Sequence, residues 1–435
     1  MSKLLFDCTN VFWNPSVNSG IQRVVRNIVA NLPEDNERHE YIPVVLAGSK
    51  LYRVLRLLPN HAESGRLSKL YSVLDRLSAA LWSCAENSHW FSGCLMRGTC
   101  RFIRLPVAVL MRILRMAGYS PLTKRASPLA VEPGDHLVLL DSTWQERYFD
   151  QVEGLKAKGL KVTAVIYDVI PLTRPEFFQD RLRDIYKKWF VRVAQYADGF
   201  ACISRAVRDE VRSVVADQAG RERSESCSYS YFHLGSELDL RQGDGDPQSE
   251  LVDIFTSPTP VFLNVGTLEP RKNHAYLLDA FDMLWRVGSK ARLCLVGGIG
   301  WKCETLIARI RNHPQNGSSL FWFGKLGDAG LDYAYRHASS LVISSHAEGF
   351  GLPIVEALQR GLPVMASDIP VFREIGGEFV AYFDLKDPSS LMELVLSYER
   401  TGKFSAGVRP PTDWSWMDWK DSAKQLIDGV TSGKR

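Results

Sequence analysis

Short runs of apolar, β-branched and aromatic residues recur along this chain, separated by segments of helical period. That alternation restricts the fold more than any other feature. A first series reads "LLFDC", "PVVLA" at 43–47, "HLVLLD" at 136–141, "KVTAVIYDVI" at 161–170 and "GFACIS" at 199–204. A second reads "VFLNVG" at 261–266, "RLCLVGG" at 292–298, "LFWFG" at 320–324, "LVISS" at 341–345 and "PVMAS" at 363–367. Strands that are apolar throughout, with helices between them, belong to parallel sheets covered on both faces. Two series predict two doubly wound α/β domains, and 435 residues exceed what one core usually supports. The polar stretch "RQGDGDPQSE" at 241–250 reads as the linker. The expected boundaries are therefore 1–245, 246–410 and a terminal segment 411–435.

Composition excludes several classes. A net charge of +4 does not call for nucleic acid. Eight cysteines without a CxxC pair, several inside strand-like runs such as Cys202 and Cys294, read as reduced, buried thiols. The start "MSKLLFDCTNVFWN" lacks the apolar core of a signal peptide, and no run reaches membrane-spanning length. A cytoplasmic chain is expected. The stretch from about 50 to 130 breaks the alternation. Within it Arg97, Arg101, Arg104, Arg112 and Arg115 share a narrow arc of a helix, interleaved with apolar residues such as Phe102, Ile103, Leu110 and Ile113. Such a basic amphipathic face suits peripheral contact with an anionic membrane, and it equally suits an insertion packed on the first domain with arginines in water. Pro106 would kink or split that helix.

Ligands of open parallel sheets bind beyond the carboxyl ends of the strands, so the strand-to-helix junctions are where chemistry is sought. At the first, Gly20 opens a helix and would let backbone amides approach a phosphate. At the second, Asp168 closes an apolar strand; it either contacts a hydroxyl-rich ligand or caps the following turn. At the third, "NVGTLEPRKNHAYLLDAF" sets Arg271 and Lys272 before a helix with Asn273 at its N-cap. Adjacent cations oppose the helix dipole there, a conflict that a bound diphosphate would resolve. At the fourth, "SSHAEGFGLPIVEALQRG" at 344–361 places Glu348 and Glu356 around a glycine-rich turn, with Pro353 in the first turn of the next helix and Gly361 beyond its end. Gly349 and Gly351 permit close backbone approach to a ligand. Spacing alone leaves open whether the two acids are a base and nucleophile pair or two ligand contacts.

Taken together, "VGTLEPRKN", "LVGGIGW", "SSHAEGFGLPIVEAL" and "GLPVMASDIPVFREIGG", with "ISRAVRDEV" at 203–211, resemble the retaining nucleotide-sugar glycosyltransferases of glycosyltransferase family 4. The resemblance is dense over roughly 260–385, thinner over 1–30 and 160–235, and not visible in 50–130. It implies a GT-B fold, two Rossmann-like domains facing a cleft. It implies that Glu356 grips the donor ribose, that Glu348 lies by the transferred sugar, and that Phe350, Gly351 and Leu352 present backbone amides to sugar and diphosphate. Arg271 and Lys272 would neutralise the diphosphate, Gly20 would close over it, and Leu326 would contact the base. Asp168 would contact sugar or acceptor. Where many relatives carry His before that acid, this chain has Tyr167. The tail "DWSWMDWKDSAKQLIDGV" would cross back onto the first domain. No metal or other cofactor is implied, and Asp244 and Asp246, the one Asp-x-Asp, read as solvated linker. The motif style resembles mannosyl- and deoxymannosyltransferases of O-antigen or capsule. The expectation is therefore hexose transfer from GDP-mannose or GDP-rhamnose to a lipid-linked glycan. An epimerase or phosphorylase on the same fold, or a non-catalytic scaffold, are the alternatives.

Overall fold

The computed structural model describes residues 2–15, 20–35, 38–48, 50–57, 73–74, 106–110, 112–113, 121–144, 146–235, 247–402, 404 and 407–432. It divides into two compact units, Met1–Ala164 and Val165–Arg435.

In the first unit the strands are β1 (Ser2–Asp7), β2 (His39–Ala47), β3 (Lys50–Val54), β4 (Ala126–Leu129), β5 (His136–Leu139) and β6 (Lys161–Ile166), whose last two residues fall past the boundary. They lie in the order β4-β3-β2-β1-β5-β6. β1 pairs in parallel with β2 and β5, and β5 with β6. Leu4, Leu5 and Phe6 of β1 are fully buried, as a central strand covered on both faces requires. The edge differs from an all-parallel expectation. β2, β3 and β4 pair antiparallel, with Ala47 opposite Lys50 and Gly48 turning at φ +59° between them. The expected break at 50–130 is thus framed by edge strands at both ends. A two-residue hairpin needs no crossover helix, which is why the alternation stops there.

The second unit holds the end of β6 together with β7 (Gly199–Cys202) and β8 (Ser228–Tyr231), which pair in parallel. The Ile203 amide donates to the Ile166 carbonyl at 3.3 Å. It also holds a six-stranded sheet of β9 (Val261–Val265), β10 (Arg292–Val296), β11 (Leu320–Phe323), β12 (Ser340–Ile343), β13 (Val364–Ser367) and β14 (Val380–Phe383). Their order is β11-β10-β9-β12-β13-β14, with every pair parallel. Phe262, Leu293, Leu320, Val342 and Met365 meet the helix His274–Arg286 in a continuous core. Each such side chain contributes about 1.5–3 kcal/mol on burial. The C-terminal helix Trp419–Thr431 packs on β8 and β7, where Ser422 Oγ donates to the His233 carbonyl at 2.6 Å. Cys8, Cys202, Cys227, Cys294 and Cys303 are buried, unbridged thiols.

Candidate functional site

Counted from β9, the second sheet has strand order 3-2-1-4-5-6, so its direction of winding reverses between β9 and β12. Loops leaving the carboxyl ends of those neighbours part to opposite faces, and the crevice between them is where such sheets bind ligands. The "EPRKN" and "HAEGFG" segments are those two loops.

After β9 the chain makes a 3₁₀ turn, Pro270–Lys272, and enters the helix His274–Arg286. Asn273 occupies the N-cap position, but through a left-handed backbone (φ +53°) and not through its side chain, a correction to the cap expected from sequence. After β12 a loop runs from Ser344 to Gly351 into the helix Leu352–Leu358. The two loops are stitched together. Ser344 Oγ reaches the carbonyls of Lys272 and Asn273, each at 3.0 Å. The His346 amide donates to the Arg271 carbonyl at 2.9 Å, and Arg271 Nη1 donates to the Ala347 carbonyl at 3.0 Å.

Onto this frame the charges are set. Glu348 accepts from Arg271 Nη1 through one oxygen and from Lys272 Nζ, at 2.5 Å, and Ser345 Oγ, at 2.7 Å, through the other. The second arm of Arg271 goes to the buried Glu269 at 2.7 Å. Burial opposes charge on Glu348, but Arg271 and Lys272 outweigh it and hold the carboxyl down at about 2. Burial likewise opposes charge on Arg271, and the fields of Glu348, Glu269 and Asp168 raise it above its ordinary value. The anion beside the two cations is thus the chain's own carboxylate. The pair is locked in an ionised, oriented state by partners the protein supplies.

The glycine-rich turn explains its own composition. Gly351 stands at φ +105°, and a Cβ there would lie 2.9 Å from the Phe372 ring. At Gly349 a Cβ would lie 2.0 Å from the Tyr167 carbonyl oxygen, so the loop touches the end of β6 backbone to backbone. Beyond it, the helix Leu352–Leu358 carries Pro353, which has no amide hydrogen, in its first turn, and the Ile354 amide donates to the Gly351 carbonyl at 2.9 Å, so Leu352 supplies the amide of that turn that can meet a ligand. Glu356 is 5% exposed and accepts from the buried Tyr335 hydroxyl at 2.7 Å, so its carboxylate is anchored on one side. Leu326 is half-buried in the loop after β11.

Asp168 also belongs to this unit. Its Oδ1 accepts the Ile170 amide at 3.1 Å, so it does cap its turn. It lies in the field of Arg271, Glu348 and Glu269 as well, and burial pushes its carboxyl up against the pull of Arg271. The structure therefore gathers Arg271, Lys272, Glu348, Phe350, Gly351, Leu352, Glu356 and Asp168 in one unit. Gly20 opens the helix Gly20–Ala30 of the first unit and is exposed. Of the basic residues, Arg112 is exposed, near exposed Val109, Leu110 and Ile113, while Arg97, Arg101, Arg104 and Arg115 lie outside the described residues. Pro106 opens the described helical residues 106–110, and the residues before it, where a kink would show, lie outside the described residues. Asp244 and Asp246 also lie outside the described residues. No helix among the described residues is long and apolar enough to cross a membrane. Sequence reasoning missed Glu269, Ser345 and Tyr335. The first two lie inside the quoted "VGTLEPRKN" and "SSHAEGFGLPIVEAL" motifs; Tyr335 carried no local signal.

Residues 253–406 match the family of Glycosyl transferases group 1. The serotype-specific mannosyltransferase WbdA of Escherichia coli is 34% identical over 310 residues, covering 70% of this chain and 38% of the relative. O-antigen chain mannosyltransferase B of the same organism is 33% identical over 169 residues, 38% of this chain and 44% of the relative. The chain thus spans about two fifths of the length of these curated relatives. Among solved structures, Anabaena HepE (Alr3699) in complex with UDP aligns over 99% of this chain and 100% of its own, with a TM-score of 0.57 and 13% identity. That likeness concerns the fold. Residues 253–406 thus match group 1 glycosyl transferases, the chain is homologous to O-antigen mannosyltransferases, and its two-sheet α/β fold is that of its GT-B structural neighbours.

Proposed function

We propose that this chain transfers a hexose, mannose being favoured, from a nucleotide diphosphate sugar to a growing bacterial surface glycan. The observation that carries the reading is the Glu348 carboxylate bridging Arg271 and Lys272 at the strand-order reversal, directly before the glycine turn that leads into the helix Leu352–Leu358. Breaking an anomeric C–O bond places negative charge on the departing diphosphate. Arg271, Lys272 and the amides of that turn are donors fixed in advance, and donors that need no reorganisation stabilise developing charge most effectively. Glu348 is then the holder of two cations and not a nucleophile, since its oxygens are already engaged by Arg271, Lys272 and Ser345. Glu356, anchored by Tyr335, is suited to accept from ribose hydroxyls, and Leu326 to face the base. Asp168 is placed to meet a sugar or acceptor hydroxyl.

We further infer a retaining transfer that proceeds without a divalent ion, a lipid-linked acceptor, and GDP-mannose or GDP-rhamnose as donor. The mannosyltransferase names of the relatives support the sugar, and the exposed Val109, Leu110, Arg112 and Ile113 support a peripheral membrane contact. The purified protein is expected to release GDP from GDP-mannose in the presence of membrane-derived acceptor, at a rate unchanged by EDTA, with an α-linked product by NMR. Absence of binding, hydrolysis and transfer across GDP-, UDP- and dTDP-sugars would sink the reading. Acidic vesicles at low salt should retain the protein, and Arg101→Glu with Arg104→Glu should abolish that retention.

A further inference from the structure

The loop that carries Glu348 and the glycine turn is held on its far side by Ser204 and Glu374, which lie within the quoted "ISRAVRDEV" and "GLPVMASDIPVFREIGG" stretches but were given no role there. Ser204, fully buried at the end of β7, caps the helix Arg205–Ala219 by accepting the Val207 amide at 3.1 Å. The same hydroxyl donates to the Gly349 carbonyl at 2.9 Å. One proton and one lone pair therefore tie a helix start to the middle of the candidate site loop. The first two amides of that helix are taken by a single carboxylate from another element. Glu374, on the helix Pro370–Gly376 that follows β13, accepts the Arg205 amide at 2.7 Å and the Ala206 amide at 2.9 Å, one on each oxygen. His233 Nε2 meets the same carboxylate at 2.7 Å. A carboxylate at a helix N-terminus is favoured by the dipole as well as by the amides. Burial opposes its charge, yet His233 and the two amides hold it below the usual range.

The clamp encloses the loop. Gly349 is pressed on the Tyr167 carbonyl on one side and bonded to Ser204 on another, while the Phe350 ring is buried beside His233 and Trp416, each about 6.1 Å away. Cap, carboxylate and ring share one purpose: they leave the Gly349–Gly351 backbone a single position.

We propose that Ser204 and Glu374 are positioning residues for glycosyl transfer, fixing the Gly349–Gly351 backbone so that its amides meet the reacting end of the donor. This rests on the function proposed above. Their hydrogen bonds run to the Gly349 carbonyl, to the start of the helix Arg205–Ala219 and to His233, so nucleotide binding should be spared and the chemical step affected.

The test uses the full-length protein and variants Ser204→Ala, Ser204→Thr and Glu374→Gln. The Arg205 and Ala206 amides sit on different oxygens of the carboxylate, so in either orientation a glutamine NH2 would face one of these donors and leave it without an acceptor. Hydrogen exchange by mass spectrometry should show the amides of 349–352 exchanging about tenfold faster or more in Ser204→Ala and Glu374→Gln. With GDP-mannose, kcat should fall about tenfold to a hundredfold while the donor KM changes by less than about threefold. Ser204→Thr, which keeps the hydroxyl, should retain both protection and kcat. Unchanged exchange in both disruptive variants overturns the clamp. So does an activity loss that merely tracks a reduced folded fraction, or one that threonine fails to rescue. If either disruptive variant does not fold, the other carries the test. A wild-type protein without transfer activity would refute the proposed function but leave the exchange result to judge the clamp.

Discussion

Replacing Gly349 by alanine would place a Cβ 2.0 Å from the Tyr167 carbonyl oxygen, 3.1 Å from its carbon and 3.3 Å from Asp168 Cβ. Real Cβ contacts essentially never fall below 3.0 Å, so the loop and the end of β6 must part by about 1 Å. The nearest atoms are backbone, and no rotamer change can relieve the contact. Overpacking of this kind costs about 1–3 kcal/mol. In a unit this large, that lowers the melting temperature by about 2–4 °C for each kcal/mol. The functional cost should be larger than the structural one. Glu348 is the preceding residue, and the amides of Phe350, Gly351 and Leu352 follow at once. A 1 Å misplacement of catalytic groups is worth about a hundredfold in rate. The expected result is therefore kcat/KM with GDP-mannose reduced about a hundredfold, with a modest drop in melting temperature by differential scanning fluorimetry. Gly154→Ala is the control: it is exposed on a helix, a Cβ there meets nothing within 4 Å, and it should leave both quantities at or above wild type. A Gly349→Ala protein with wild-type turnover and stability would refute the idea that this backbone contact sets the loop.

Lys272→Ala removes one of the two donors poised for the diphosphate and should lower kcat about a hundredfold to a thousandfold, measured as GDP release. Tyr335→Phe withdraws one hydrogen bond from Glu356; GDP binding by calorimetry should weaken, and stability should fall by about 0.5–1.5 kcal/mol, the net worth of that bond. The first unit should be destabilised by alkali. Asp7, fully buried with Oδ2 lacking a hydrogen-bond partner, is pushed by burial and by Asp141 up to about 8, and burial pushes Asp141 up to about 6. The folded state holds those protons more tightly than the unfolded chain, whose aspartates titrate near about 3.9, so stability is full below that value and declines as pH rises toward about 8. Asp7→Asn should flatten that decline in melts between pH 5 and 9. Glu348 has the opposite sign. Its stabilising contribution is present above the unfolded carboxyl range and lost only as pH falls toward about 2, so its protonation should not limit activity at pH 5 and above.

How far the sequence carried depends on whether a feature is local. Apolar runs such as "VFLNVG" and "LVISS" announce strands because burial on both faces leaves no polar alternative in the run. β8, with its "SYSY", and the edge pair β3 and β4 escaped, since strands with an exposed face carry polar residues. The turn residues were legible too: Gly351 has the positive φ that the motif suggested, and Pro353 sits in the first helical turn. What no local pattern could reveal was which loops would meet. Glu348 and Arg271 are 77 positions apart, and only the pairing of β9 with β12 brings them together.

That juxtaposition changes the electrostatic argument for the site. Read singly, Arg271 and Lys272 form a bare cationic patch at a helix start, and any anion would satisfy them. In the fold, two cations face two carboxylates, Glu348 and Glu269, so the cluster carries no large net charge with which to draw a diphosphate from solution. Its value lies in orientation: Arg271 is gripped on both arms and Lys272 on its tip, so neither side chain needs to reorganise when charge develops beside it. The attraction of an anion then falls largely to the backbone amides of the Gly349–Leu352 turn and to the dipole of the helix behind them. Two substitutions separate these contributions. Glu348→Gln removes the charge that holds Lys272 and leaves Arg271 Nη1 to the Ala347 carbonyl, and should tighten GDP binding while lowering kcat, because the cations lose a neutralising partner and lose position. Lys272→Ala should weaken kcat with little effect on GDP affinity. Should Glu348→Gln instead weaken GDP binding, the carboxylate would have to contact the ligand itself, and its assignment as the holder of the two cations would be wrong.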